Sequence, residues 1–139
     1  MSKMLTKEKV ELLKVAGYSR KAIEYYVKDV NVGIIKNPDV TIAHTDPCGD
    51  TMKLYLKINN SGTIEDAKFL YLGCPGLAAS GSVLTKLIRG KAIREAKKIT
   101  EDDILQELDQ LSKSKLDCPK LAITTLQKAI LKYGEVQKD

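Results

Sequence analysis

Met52-Lys53-Leu54-Tyr55-Leu56-Lys57-Ile58-Asn59-Asn60-Ser61-Gly62 alternates apolar and polar side chains and then stops on four turn-forming residues. Met52, Leu54, Leu56 and Ile58 fall on one side, with Lys53, Tyr55 and Lys57 on the other. That is the period of a strand buried on one face only. Asn59 to Gly62 supplies a tight reversal. A second strand is expected from Ile64 to Leu72, with Ala67, Phe69 and Tyr71 on a common face. Strands joined this closely pair antiparallel. Upstream, the short β-branched run Val40-Thr41-Ile42-Ala43 predicts a third strand.

Helical signals lie on both sides of these strands. Thr6 caps a segment running to about Ala16, with Gly17 as its stop. Ser19 opens another, where Ala22, Ile23, Tyr26 and Val27 recur at helical spacing, and Asn31-Val32-Gly33 ends the pattern. Pro75 suits a first helical turn, followed by Leu77, Val83, Leu84, Leu87 and Ile88 and closed by Gly90. Thr100-Glu101-Asp102-Asp103 has the form of a capping motif for a helix to about Leu108. Pro119 opens a last helix with Ala122, Leu126, Ala129, Ile130 and Tyr133 as its apolar stripe and Gly134 as its stop. Three strands followed mainly by helices predict an α+β fold: a three-stranded antiparallel sheet with helices against it and an additional N-terminal helix. The whole span 1–139 is expected to form one domain, with about 1–17 as a helical extension and with 1–5 and 134–139 frayed.

Composition narrows the function classes. The apolar share of 43% and charged share of 29% suit a water-soluble globular chain. No apolar run nears the ~20 residues of a membrane span, and Met1 to Lys7 carries no signal-peptide core. A cytoplasmic protein, off the membrane, is expected. The net charge of +5 is spread along the chain and interleaved with acids, which argues against a nucleic-acid partner.

Three cysteines concentrate the chemistry. Cys48 lies in Asp46-Pro47-Cys48-Gly49-Asp50, Cys74 in Gly73-Cys74-Pro75-Gly76, and Cys118 in Leu116-Asp117-Cys118-Pro119. An odd count without a secretory signal favours metal binding or thiol chemistry over a disulfide framework. Cys74 and Cys118 each precede a proline at a predicted helix start, where unpaired N–H groups and the helix dipole favour thiolate. Three thiolates with a carboxylate from Asp50 or Asp117 would suit zinc, or iron in a [2Fe–2S] cluster. The gaps of 26 and 44 positions (74 − 48 and 118 − 74) mean that only the fold can bring these ligands together. His44, four residues before Cys48, is weighed as a base for that thiol, and has no evident orienting partner.

Several stretches resemble the IscU/NifU N-terminal family of iron–sulfur cluster scaffolds. They are Asp46-Pro47-Cys48-Gly49-Asp50-Thr51-Met52-Lys53-Leu54, Ile64-Glu65-Asp66-Ala67-Lys68-Phe69, and Gly73-Cys74-Pro75-Gly76-Leu77-Ala78-Ala79-Ser80. Ser82 to Lys91 and Cys118 with Leu121-Ala122 and Ala129-Ile130 continue it, and Tyr18-Ser19 and Asn31-Val32-Gly33 match more loosely. The likeness runs over about residues 18 to 133.

The resemblance implies a scaffold rather than a turnover enzyme. Cys48, Asp50, Cys74 and Cys118 would hold a transient [2Fe–2S] cluster, with Asp50 keeping it labile. Cys118 would be a sulfur acceptor and Lys115 an assisting basic residue. Implied partners are a cysteine desulfurase, an electron donor such as ferredoxin, and recipient apo-proteins; the state would be monomer or weak homo-oligomer. Zinc is expected as an occupant of purified protein.

Two departures stand out. Asp117 occupies the place where scaffolds of bacteria and mitochondria carry histidine; its carboxylate serves there either as a metal ligand or as the cap of the last helix. Leu111-Ser112-Lys113-Ser114-Lys115 lacks the prolines of the family's chaperone-docking motif, which argues against an Hsp70-type partner. The alternative is a zinc-dependent sulfurtransferase of the SufU type, whose sizeable insertion between the second and third cysteines is absent here.

Overall fold

The structure is a computed structural model and describes residues 6–137, with side-chain environments to residue 135. The fraying expected at 1–5 and at 138–139 lies outside the described residues.

Its elements are α1 (Lys7–Val15), α2 (Arg20–Lys28), β1 (Val40–Thr45), β2 (Thr51–Ile58), β3 (Ile64–Leu72), α3 (Pro75–Ile88), α4 (Ile93–Ala96), α5 (Glu101–Glu107) and α6 (Asp117–Gln137). The sheet is antiparallel in the order β1-β2-β3. Leu54 stands opposite Phe69 and Leu56 opposite Ala67, so the alternation read from the sequence turns one apolar face inward. Met52, Leu54, Leu56, Ala67 and Phe69 are all buried. α6 packs across β1 and β2, α3 lies over β3 beside it, and α2 rests on α3. Their apolar stripes, including Leu77, Val83, Leu84, Ala122 and Leu126, complete the core.

Local chemistry accounts for the helix starts. Thr6 Oγ1 accepts from Lys9 N and Ser19 Oγ from Ala22 N. Thr100 and Asp103 form a reciprocal capping box, as their spacing predicts. The Ser19 hydroxyl also donates to the Leu108 carbonyl, which fixes the start of α2 against the end of α5.

Some details differ from the sequence reading. β1 continues through His44 and Thr45, where Thr45 and Thr51 hydroxyls meet at 2.8 Å across the strand ends. Tyr55 lies on the face assigned to polar residues, and yet it is buried; the Lys53 ammonium sits 5.3 Å over its ring. α4 has too few residues to show a helical period. Gly134 does not stop α6, which runs on to Gln137. A glycine inside a helix costs only about 1 kcal/mol, so it ends a helix only where other forces agree.

Both sheet edges are occupied. Val32 and Gly33 bridge to Phe69 beside β3, with Gly33 N donating to Phe69 O at 2.9 Å. Along β1, Lys132 Nζ donates to Thr41 O at 2.9 Å and Lys128 Nζ meets His44 Nδ1 at 2.8 Å. Among the described residues, no helix is long and apolar enough to cross a membrane.

Candidate metal and sulfur site

Three chain reversals meet at one end of the sheet: the β1–β2 turn, the start of α3 and the start of α6. In the first, one oxygen of Asp46 accepts from Cys48 N at 2.9 Å and Asp50 N at 3.1 Å. Asp46 N donates to Asp50 O and Gly49 N to Asp46 O, which closes the loop. The Asx-type turn is therefore made by Asp46, and the Asp50 carboxylate is left to face the helix starts. Gly49 is needed for its φ of +92° rather than for space, since nothing lies within 4 Å of where its Cβ would be.

Asp50, Cys74 and Cys118 converge. One ligand atom from each lies within 4.8 Å of the others. The two sulfurs are 3.3 Å apart. Gly76 permits this approach: a Cβ there would sit 3.2 Å from Cys118 Sγ and 3.1 Å from Tyr18 Cε1.

Cys74 is the N-cap of α3, immediately before Pro75. Its thiol is lowered to about 5, first by the hydrogen bond from Cys118 and then by backbone N–H groups of Leu77 and Gly76 and by Tyr18, against the cost of burial. Cys118 was expected to share this activation, and its thiol is instead pushed well above the usual range. The hydrogen bond to Cys74 is the main cause, followed by burial and the negative charges of Cys74 and Asp50, with Lys115 opposing. Cys118 is the second residue of α6 and is 5% exposed. Two sulfurs in contact cannot both ionise cheaply, so the pair holds one proton.

Cys48 and Asp117 stand apart from that cluster. Cys48 is a free, exposed thiol on the turn. It lines a groove of about 300 Å³ together with His44, Asp117 and Lys120. His44 is engaged by Lys128, as described above, which leaves it without the orienting acid a general base would need. Asp117 is exposed at the first position of α6, where an acidic side chain complements the helix dipole.

Tyr18, singled out in the sequence only for the looser part of the family likeness, belongs to the site. It is buried, and its hydroxyl bonds with the Cys74 sulfur; burial and that contact hold its own proton tightly. Lys115 lies with Nζ 5.1 Å over the Tyr18 ring. The available signal was position: Tyr18 directly precedes the Ser19 cap, within the stretch that opens the family likeness. The chemical content of the site is then a soft sulfur pair, a hard carboxylate and an adjoining thiol at a water-facing end.

A family model described as NifU-like N terminal domain matches residues 17–139. The chain belongs to this family. An iron-sulfur cluster assembly enzyme IscU of Drosophila melanogaster is 38% identical over 135 residues, covering 94% of this chain and 87% of that protein. The iron-sulfur cluster assembly scaffold protein IscU of Escherichia coli (strain K12) is 39% identical over 120 residues, covering 84% of this chain and 93% of its own. Among solved structures, a putative iron-sulfur cluster assembly scaffold protein for the SUF system from Fervidobacterium islandicum AW-1 superposes with a TM-score of 0.69. It covers 81% of this chain and 96% of that one, at 24% identity. A nitrogen-fixing NifU-like protein (N-terminal) from Brucella abortus gives 0.69 at 18% identity, with coverage of 84% and 93%. These two speak for the fold, the α+β arrangement described above.

Proposed function

We propose that this chain is a scaffold on which a labile [2Fe–2S] cluster is assembled and from which it passes to apo-proteins. The observation that carries this reading is the convergence of Asp50, Cys74 and Cys118 at one end of the sheet. The identity to proteins named as IscU scaffolds supports it over most of the chain. Thiolates hold iron firmly, whereas a carboxylate oxygen is a harder and more readily exchanged donor. Such a mixed set suits a cargo that must later leave. Cys48 and Asp117, in the adjoining groove, serve as further donors for the second iron.

Sulfur arrives as a persulfide from a cysteine desulfurase, Cys118 becomes one of its holders, and Lys115 offsets negative charge as iron and sulfide collect. An electron donor of the ferredoxin class reduces the incoming sulfur to sulfide. We take the work to be cytoplasmic, with no nucleic-acid or membrane partner and a monomer or weak homo-oligomer as the working state.

The second reading is a zinc-dependent sulfur acceptor of the SufU type. It is favoured by the count of donors in contact, since three donor atoms suit one mononuclear ion with a fourth position open. Anaerobic reconstitution with iron, a desulfurase and cysteine separates the two. A scaffold gains about two irons and two sulfides per cluster and yields them to an apo-ferredoxin. Persulfide and bound zinc without any cluster would overturn the scaffold reading.

A further inference from the structure

The two inner cysteines are placed to react with each other as well as to hold a metal. Cys74 Sγ and Cys118 Sγ are 3.3 Å apart across the starts of two helices, α3 and α6, that pack against one another. A disulfide needs its sulfurs at about 2.05 Å, so an adjustment of about 1.3 Å closes the gap. Depth separates the partners. Cys118 is buried, whereas Cys74 is half-buried and follows the exposed Leu72 and Gly73. Cys48 is exposed on its turn and lies outside the group of donors in contact.

A small oxidant reaches Cys74 from the side of Leu72 and Gly73, with a second thiol directly beneath. A cysteine oxidised to sulfenic acid has two fates. A neighbouring thiol turns it into a disulfide, which other thiols can undo, while further oxidation gives a sulfinic acid, which they cannot. A sulfur already in contact favours the first fate. The same two sulfurs are two of the three donors that converge with Asp50. Bonded to each other they are no longer thiolates, the form that binds metal. Of that converging group only one carboxylate is then left.

We propose that Cys74 and Cys118 form a reversible oxidative modification site for hydroperoxides, and that their disulfide shuts off metal uptake. Bond formation stands on the geometry alone, whereas its effect on metal rests on the ligand set proposed above. In the first step the Cys74 thiolate attacks the hydroxyl oxygen of the peroxide. A sulfur–oxygen bond forms as the O–O bond breaks, and the departing hydroxide or alkoxide takes a proton from water. In the second step Cys118 Sγ attacks Cys74 Sγ. The sulfur–sulfur bond forms, the sulfur–oxygen bond breaks, and the hydroxyl leaves as water with the Cys118 proton. The sulfurs lose two electrons in all and the peroxide gains them. A dithiol reductant returns both electrons, meeting the bond at the Cys74 sulfur, the more accessible of the two.

The test treats metal-free protein with a small excess of hydrogen peroxide, blocks the remaining thiols with iodoacetamide and digests without reduction. Trypsin cuts at Lys53 and Lys86, so the three cysteines fall on separate peptides. The expected result is a Cys74–Cys118 cross-linked peptide with Cys48 still alkylated, and recovery of both thiols after dithiothreitol. The oxidised protein should lose the rise in thermal midpoint that zinc gives the reduced protein, and regain it on reduction. Zinc bound beforehand should slow the cross-link by at least about tenfold, because coordinated sulfurs are held away from the oxidant. In Cys118→Ser, shown to be folded by circular dichroism melting, dimedone should trap a sulfenic acid on Cys74; the wild-type peptide map decides the pairing independently. A disulfide that includes Cys48, or Cys74 carried to sulfinic acid with Cys118 still free, overturns the pairing. A cross-link that leaves the zinc effect intact overturns the control of metal uptake. Cluster reconstitution on the reduced protein is untouched by either result and reads the scaffold function separately.

Discussion

At the residue scale, the site distributes one proton between two sulfurs that look alike in sequence. Cys74 and Cys118 both precede a proline at a helix start, yet their shared hydrogen bond drives them in opposite directions, and the Asp50 carboxylate adds to the rise at Cys118. For an acid, a lowered value means that the charged form persists to lower pH. Metal-free protein should therefore alkylate at Cys74 at a nearly constant thiolate fraction from pH 9 down to about 6 and lose that reactivity as the pH falls through about 5. An ordinary thiol loses it through about 8.5. Peptide mapping after brief iodoacetamide treatment at each pH reads the profile. A Cys74 curve with the ordinary midpoint would show that the sulfur pair does not share its proton as described. None of this was legible locally, because the two settings are nearly the same over three residues and only the 3.3 Å approach separates them. The cysteines themselves, and Asp50 beside them, were legible. Their flanking turns and helix starts declare a site before any fold is known.

At the scale of elements, the hairpin of β2 and β3 was the most readable part. Period-two alternation and the Asn59–Gly62 turn specify both the pairing and the buried face. The packing of α3 on that hairpin has a narrower tolerance. A Cβ at Gly81 would lie 2.4 Å from the Phe69 ring, and the ring is fully buried with nowhere to move. Gly81→Ala should destabilise the fold by about 1–3 kcal/mol through overpacking, read as a fall in thermal midpoint. A midpoint equal to wild type would mean that α3 sits farther from the sheet. The opposite outcome is expected at Gly134, where α6 passes straight through and nothing lies within 4 Å of the Cβ position. Gly134→Ala should raise stability by about 0.5–1 kcal/mol by relieving the entropy cost of a helical glycine. Gly134 misleads as a stop signal because propensity is a local preference, and the helix continues as long as its backbone bonds can form. α4 was missed for a related reason: four residues carry no period, and it takes its shape from its neighbours. Thr63 bridges Ala92, and Gly62 O accepts from Ile93 N at 2.9 Å.

At the scale of the whole molecule, the donors come from parts that only the tertiary fold brings together. Asp50 comes from the β1–β2 turn, Cys74 from the cap of α3 and Cys118 from the first turn of α6. An ion that binds only this assembled arrangement stabilises the folded state by mass action, about 2.7 kcal/mol when present at a hundred times its dissociation constant. The thermal midpoint should rise when zinc is added to metal-free protein and return when a chelator is added. Asp50→Ala should shrink that rise, since the set loses its oxygen donor. An undiminished rise in that variant would place the ion elsewhere. The charge of +5 and the lysine cover along β1 would then remain as background properties of the surface.

The spread of those donors along the chain also has a consequence for synthesis. Residues 50, 74 and 118 meet only after the sheet, α3 and the start of α6 have all docked. A ribosome releases the chain from its N-terminal end, so the first two donors emerge well before the third. Until Cys118 has left the exit tunnel, a growing chain holds an incomplete cradle and has little grip on passing iron or zinc. Loading is thereby deferred to the finished protein, and a truncated product that ends before α6 would circulate without competing for the metal its full-length siblings carry.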